Sequence, residues 1–211
     1  MKETIKTSRT VGYLEKIYRQ LNQDFFEGGL ETPIITVQST PRAYGHVTCG
    51  RVWQRKDSAC YELNIGAESL ARPIENVVST MLHEMVHIYH LMNGIQDCSR
   101  GNTYHNKRFK VKAETVGLHI DYDARIGWSI TSPTEELIEY IISQGWQDIQ
   151  INRGTVSGSH SGGSSGGDSD STRKPSSTRK YMCPKCGISC RATKDIRIQC
   201  VTCAQEMQKC S

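Results

Sequence analysis

The chain has 211 residues, a formal net charge of +4 and a hydrophobic content of 36%. That length suits one ordinary domain plus something small, and the low apolar content predicts a stretch outside any packed core. No Gly period is present, which excludes a collagen-like fibre, and no apolar run approaches the roughly 20 residues of a membrane span. The polar start, Met1 to Thr10, lacks the apolar core of a secretory leader and predicts a cytoplasmic protein with no membrane partner. Charge is uneven: residues 171–211 hold nine Lys/Arg against two Asp/Glu, whereas residues 1–170 hold 17 against 20. A near-neutral body with a basic tail points to a polyanionic partner reached through the tail, the plainer alternative being a solubilising tail.

In chain order, Val11, Leu14, Ile17, Tyr18, Leu21 and Phe25 recur at helical spacing, and Gly28-Gly29 ends that helix. Ile34 to Val37 reads as a short strand. Gly45 to Trp53 and Tyr61 to Ile65 read as two more, joined by a turn at Arg55 to Ser58. Pro73 suits the first turn of a long helix that Asn93-Gly94 closes. Another helix is predicted from about Thr103 to Val116, with Gly117 as its stop. Ser132-Pro133-Thr134-Glu135 reads as a capping box opening a helix through Ser143. Fifteen of the 27 residues in 154–180 are Gly or Ser, too polar a segment to offset its ordering entropy. The sequence thus divides into an α+β body (1–153), a flexible Ser/Gly-rich linker with a basic end (154–180) and a cysteine-rich module (181–211).

Within the long helix, His83-Glu84-Met85-Val86-His87 fits H-E-x-x-H. Four-residue spacing puts both imidazoles on one helical face, where they can hold one Zn²⁺ while Glu84 reaches a water on the metal. A third protein ligand is required. His90 shares the face of His83 but lies about 10 Å further along the axis, which suits packing or support of a ligand. His119 lies among apolar neighbours and reads as a structural, hydrogen-bonded side chain. His105 is the best candidate, because the polar loop Gln96 to Thr103 can return the chain to the metal.

His83 to His87, followed by Gly101-Asn102-Thr103-Tyr104-His105-Asn106-Lys107-Arg108-Phe109, resembles the SprT-like, Spartan-related metallopeptidase family. That family has a third His opening a helix, with Phe four residues on. Tyr18 to Phe26 with Gly28-Gly29-Leu30 resembles its first helix, and Ala43-Tyr44-Gly45-His46 the strand bordering its cleft. The likeness covers residues 10–120 well and 121–150 loosely. It implies a minimal zincin-like protease domain, a catalytic zinc on His83, His87 and His105, and Glu84 as general base. No side chain stands out as oxyanion donor; His46 and Tyr104 are the side chains considered for it.

Cys183-x-x-Cys186 and Cys200-x-x-Cys203, 13 residues apart, have the spacing of a four-thiolate structural zinc site. So small a module needs the metal to fold. Cys190 and Cys210 leave open the replacement of one ligand. SprT-like bacterial proteins also end in such a zinc ribbon, which supports the four-cysteine assignment. Arg173, Lys174, Arg179, Lys180, Lys185 and Arg191 are candidate phosphate contacts, with Tyr181 as a possible stacking side chain. The resemblance implies an endopeptidase acting on DNA-associated or DNA-crosslinked proteins. A non-catalytic zinc-containing nucleic-acid-binding or regulatory protein, and a general peptidase with a purely structural ribbon, are the alternatives.

Overall fold

The computed structural model describes residues 7–40, 42–54, 56–153 and 179–210. The chain forms two compact units, Met1–Ser157 and Gly158–Ser211. Most of the expected linker, with Arg173 and Lys174, lies outside the described residues. No helix among the described residues is long and apolar enough to cross a membrane.

The first unit mixes helices and small sheets. Helix α1 (Thr7–Phe26) buries Leu14, Ile17, Tyr18 and Leu21 at the expected spacing. It ends where Glu27 and Gly28 turn left-handed, and Asn22 ties down the exit by bonding both the N–H and the carbonyl of Leu30. Strand β1 (Ile34–Gln38) follows, then β2 (Gly45–Val47), β3 (Trp53–Gln54), β4 (Ala59–Cys60) and β5 (Glu62–Gly66). The strand expected from Gly45 to Trp53 is thus two pieces. The chain leaves the sheet after Thr48, whose hydroxyl bonds the Gly50 carbonyl, and resumes as the short β3–β4 hairpin. Strand β5 is central, parallel to β1 and antiparallel to β2, which leaves β2 at the edge of its sheet.

Helix α2 (Ile74–Met92) is buried along most of its length, its apolar residues and also Glu75, Ser79, Thr80, Glu84 and His90. It packs against β2 and β5, and also against helix α3 (Lys107–Thr115) and strand β9 (Gly127–Pro133) of a second sheet. That second sheet was not foreseen. It runs in the order β6 (Cys98–Ser99), β7 (Tyr104–His105), β9 (Gly127–Pro133), β8 (Leu118–Asp123). Helix α3 spans Lys107–Thr115 rather than starting at Thr103. Asn106 is its N-cap, in extended backbone, accepting from the N–H groups of Arg108 and Phe109, so the residues before it remain strand. Helix α4 (Glu135–Ser143) is capped by the Thr134 hydroxyl, not Ser132, because Ser132 and Pro133 complete β9.

The regular elements among the described residues of the second unit are strands: β10 (Arg179–Met182) lies between β11 (Ser189–Ala192) and β14 (Gln208–Lys209), and β12 (Gln199–Cys200) pairs β13 (Gln205–Glu206). Arg179 and Lys180 therefore belong to a strand of this unit, not to a linker. Among the described residues its core is Tyr181, Cys183, Cys200 and Met207 with a few partly buried neighbours.

Candidate metal centres

His83 and His87 project from the same face of α2, and β7 brings His105 to meet them. The Nε2 atoms of His83 and His105 lie 3.2 Å apart, and those of His87 and His105 3.1 Å. Imidazoles bound tetrahedrally to one zinc at 2.0–2.1 Å would have nitrogens about 3.3 Å apart. The side chains are placed by what surrounds them. Phe109, fully buried, packs against all three rings, with centroids 4.5 Å from His83, 4.7 Å from His87 and 4.7 Å from His105. The His105 N–H donates to the Ile126 carbonyl, and His105 pairs with Gly127 across the sheet. Gly127 has φ of 73°, and a Cβ there would collide with the His105 carbonyl.

The outer nitrogens decide where the lone pairs point. Thr131 donates its hydroxyl hydrogen to the Ser129 carbonyl, so at 2.8 Å it accepts from His83 Nδ1–H. Asp97 Oδ2 lies 2.6 Å from His87 Nδ1, and an ionised carboxylate can only accept. Burial works to raise the Asp97 carboxyl, but hydrogen bonds from His87 and His90 hold it below the ordinary carboxylate range. Both Nδ1 atoms therefore carry a hydrogen, and in the neutral form that a metal ligand takes, the Nε2 atoms of His83 and His87 turn lone pairs toward one point. His105 Nε2 carries at most one hydrogen to share between them, so one lone pair stays unsatisfied unless a cation is present. Burial, then the neighbouring imidazoles, keeps His83 well below its ordinary pKa and brings His105 down to about 4. Convergent, partly buried imidazoles are the donor set that suits zinc.

Glu84 is buried beside this cluster and accepts from the Val47 N–H of β2. Burial pushes its carboxyl up to about 7. Strand β2 approaches this closely because Gly45 has no side chain. A Cβ there would stand 2.9 Å from the Asn64 carbonyl and 3.3 Å from a Glu84 carboxylate oxygen.

Of the other sequence candidates, His90 is almost fully buried and bonds Asp97 at 3.0 Å, a supporting place as expected. His119 is not packed among apolar groups: it points out of β8, with its side chain 60% exposed beside Asp121. His46 is exposed on β2, and the Tyr104 hydroxyl bonds that of Tyr122. Asp97, Thr131 and Gly127 were missed. A carboxylate in the loop between the second and third histidines was the one available signal for Asp97.

In the second unit, Cys183, Cys186, Cys200 and Cys203 form a cluster that could hold a metal ion. The Sγ atoms of Cys186 and Cys200 are 3.6 Å apart, close to the roughly 3.8 Å edge of a tetrahedral site with 2.3 Å bonds. Cys190 instead contacts Met207, and Cys210 lies beside the Gln208 carbonyl. The N–H of Cys186, then that of Lys185, draws the Cys183 thiol down to about 7. Tyr181 is buried, its hydroxyl bonding Asp195 and the Ile196 N–H, so it is a core residue rather than a stacking platform. Arg179 and Lys209 both bond Asp195, at 3.0 and 2.6 Å. Lys180 and Lys185 are exposed, and Arg191 is half-buried on β11.

Compared with known proteins, the chain matches the family model described as the SprT-like family over residues 14–126, just over half its length. The four-cysteine unit lies outside the matched residues. No curated protein and no solved structure matches the chain.

Proposed function

The chain belongs to the SprT-like family, and from that membership we propose that its first unit is a zinc-dependent endopeptidase of minimal zincin-like architecture. The observation that carries this reading is the convergence of His83, His87 and His105 beside a buried, hydrogen-bonded Glu84. These three imidazoles would hold the catalytic ion, and Cys183, Cys186, Cys200 and Cys203 a structural one. Bound there, zinc supplies Lewis acidity, activating a water and polarising the scissile carbonyl. Glu84 accepts the proton of the attacking water and delivers it to the leaving amine, a task that suits a carboxyl poised near neutral pH. Edge strand β2 offers its backbone to an extended substrate, and the Val47 N–H keeps Glu84 at that edge.

The proposed substrates are proteins associated with or crosslinked to DNA. The basic residues of the ribbon unit and of the segment before it, Arg173, Lys174, Arg179, Lys180, Lys185 and Arg191, favour a nucleic-acid partner. The first unit adds a patch of its own: Tyr122 packs at a tilt against Trp128, centroids 5.0 Å apart, Lys110 lies 4.0 Å above Trp128, and Arg100 lies 4.5 Å over Tyr104. Aromatic faces interleaved with cations suit single-stranded nucleic acid.

The test is a cleavage time course on a DNA-binding protein, comparing wild type with Glu84→Gln, zinc-loaded, with and without single-stranded DNA. Cleavage by wild type alone, faster with DNA, is expected. Cleavage indifferent to DNA would reduce the reading to a general peptidase with a structural ribbon. No cleavage from zinc-loaded protein would favour a non-catalytic binding protein.

A further inference from the structure

We propose that Asp97 is the positioning residue of the three-histidine centre, setting the tautomer of one ligand by its side chain and the place of another by its backbone. The inference rests on the reading of His83, His87 and His105 as metal ligands.

Three bonds meet at this residue. Its Oδ2 accepts from His87 Nδ1 at 2.6 Å and from His90 Nδ1 at 3.0 Å. Its backbone carbonyl accepts from the Asn106 N–H at 2.8 Å. The first bond fixes the His87 proton on Nδ1, the nitrogen remote from the cluster. A neutral imidazole carries a single N–H, so this leaves the Nε2 lone pair for the metal. The second bond comes from one turn further along α2 and presents no lone pair to the centre. Its use is to hold the carboxylate: one donor would leave the group free to swing, and two donors on one helix orient it. His90 is 3% exposed, so its N–H has no water to turn to and the contact is durable. The third bond reaches across to the residue after His105. Asn106 also caps α3, the helix that carries Phe109 beneath the three rings. One residue thus braces ligands from two separate elements, α2 and β7.

Asp97 is not itself placed as a ligand. It lies with His87 and Cys98 in a group compact enough to hold an ion. Yet the 2.6 Å between the carboxylate oxygen and His87 Nδ1 is a hydrogen-bond length, shorter than the roughly 3 Å that separates two donors sharing one ion. The ion belongs on the other side of the His87 ring. An acceptor behind a ligating imidazole raises its basicity and typically contributes 10–100-fold to metal affinity.

The experiment uses the full chain stripped of metal. Zinc affinity is measured by chelator competition, following the equivalent that His83→Ala abolishes, so the cysteine site does not interfere. Asp97→Asn is expected to weaken that equivalent by about 10–100-fold and to shift His87 from the Nδ1–H toward the Nε2–H tautomer in two-bond ¹H–¹⁵N spectra. His90→Gln, which keeps the Asp97–His87 bond, is expected to weaken zinc by a few fold and leave the tautomer in place. Thermal unfolding of the metal-free variants separates positioning from general damage. An unchanged zinc affinity in Asp97→Asn, or an Nδ1–H tautomer that persists without the carboxylate, overturns the inference. A wild-type chain that binds no zinc sensitive to His83→Ala overturns the endopeptidase reading and this ligand-positioning role with it, and the tautomer measurement tells the two failures apart.

Discussion

Gly127 carries a strong structural demand that no motif announces, and Gly127→Ala tests it. Its φ of 73° lies in the left-handed region, where a non-glycine residue costs about 1–2 kcal/mol. The added Cβ would also overlap the carbonyl oxygen of His105 and stand 3.0 Å from the His105 nitrogen. Local adjustment has little room, because Gly127 and His105 are paired across the sheet and the His105 N–H is held by the Ile126 carbonyl at 2.9 Å. The two backbones must part by about 1 Å, and such overpacking costs a further 1–3 kcal/mol or so. The sum is about 2–5 kcal/mol, or about 5–15 °C in the melting temperature of a domain this size. The same movement carries His105 well beyond the roughly 0.2 Å tolerance of a zinc–nitrogen bond, so zinc affinity should fall at least tenfold. Differential scanning calorimetry with and without zinc, together with chelator competition, measures both. Gly12→Ala is the internal control: it sits in α1 with open space around its Cβ position, and alanine there should stabilise by about 0.5–1 kcal/mol. A Gly127→Ala protein that melts with wild type and holds zinc as tightly refutes the argument.

Glu84→Gln should keep zinc and lose cleavage by a factor of about 10² or more, read from kcat and zinc content on the same sample. Phe109→Ala removes the ring beneath three imidazoles and should cost about 3–5 kcal/mol in urea unfolding; a loss under about 1 kcal/mol would mean the rings are placed by other contacts. In metal-free protein, burial holds His105 down to about 4, so the unfolded chain binds protons that the folded one refuses, and this group adds stability as pH rises from about 4 to 6.5. Glu84 runs the opposite way: raised to about 7, it takes away about 3 kcal/mol as pH climbs from 4.5 through 7. Urea unfolding followed by the three tryptophans, all in the first unit, should therefore show the stability of Glu84→Gln gaining on wild type by about that amount over this range; a constant difference would refute it. Cys200→Ser or a strong chelator should unfold the second unit while leaving the tryptophan signal of the first in its folded form.

Much of the site was legible because its signals are local. The H-E-x-x-H spacing depends only on 3.6 residues per turn, and the paired C-x₂-C knuckles only on the reach of a short loop. Helices α1 and α2 announced themselves by period, and Asn93-Gly94 marked the end of α2. The illegible parts are those in which one segment's role is set by another. His105 was expected to open a helix, yet it lies on a strand, because Asn106 takes the cap and β9 supplies a pairing edge. The hairpin of β8 and β9 escaped notice since its strands are half exposed and interrupted at Ala124 to Ile126. Tyr181, placed by composition on a basic surface, is one of the few side chains available to fill a very small core.

A motif therefore specifies the donors, while the neighbours specify which atoms of those donors face inward. An imidazole has two nitrogens, and the H-E-x-x-H pattern is silent on which is to carry the proton. Here the choice is made by Thr131 on β9 for His83 and by Asp97 in the α2–β6 loop for His87. Both partners come from segments with no helical or ligand periodicity to betray them. Glu84 shows the same division: its place between the histidines is written in the motif, but its raised pKa follows from burial against β2, which the absent side chain of Gly45 permits. A homologous loop could keep every motif residue and still fail as a metal centre if it lost the acceptors behind the rings.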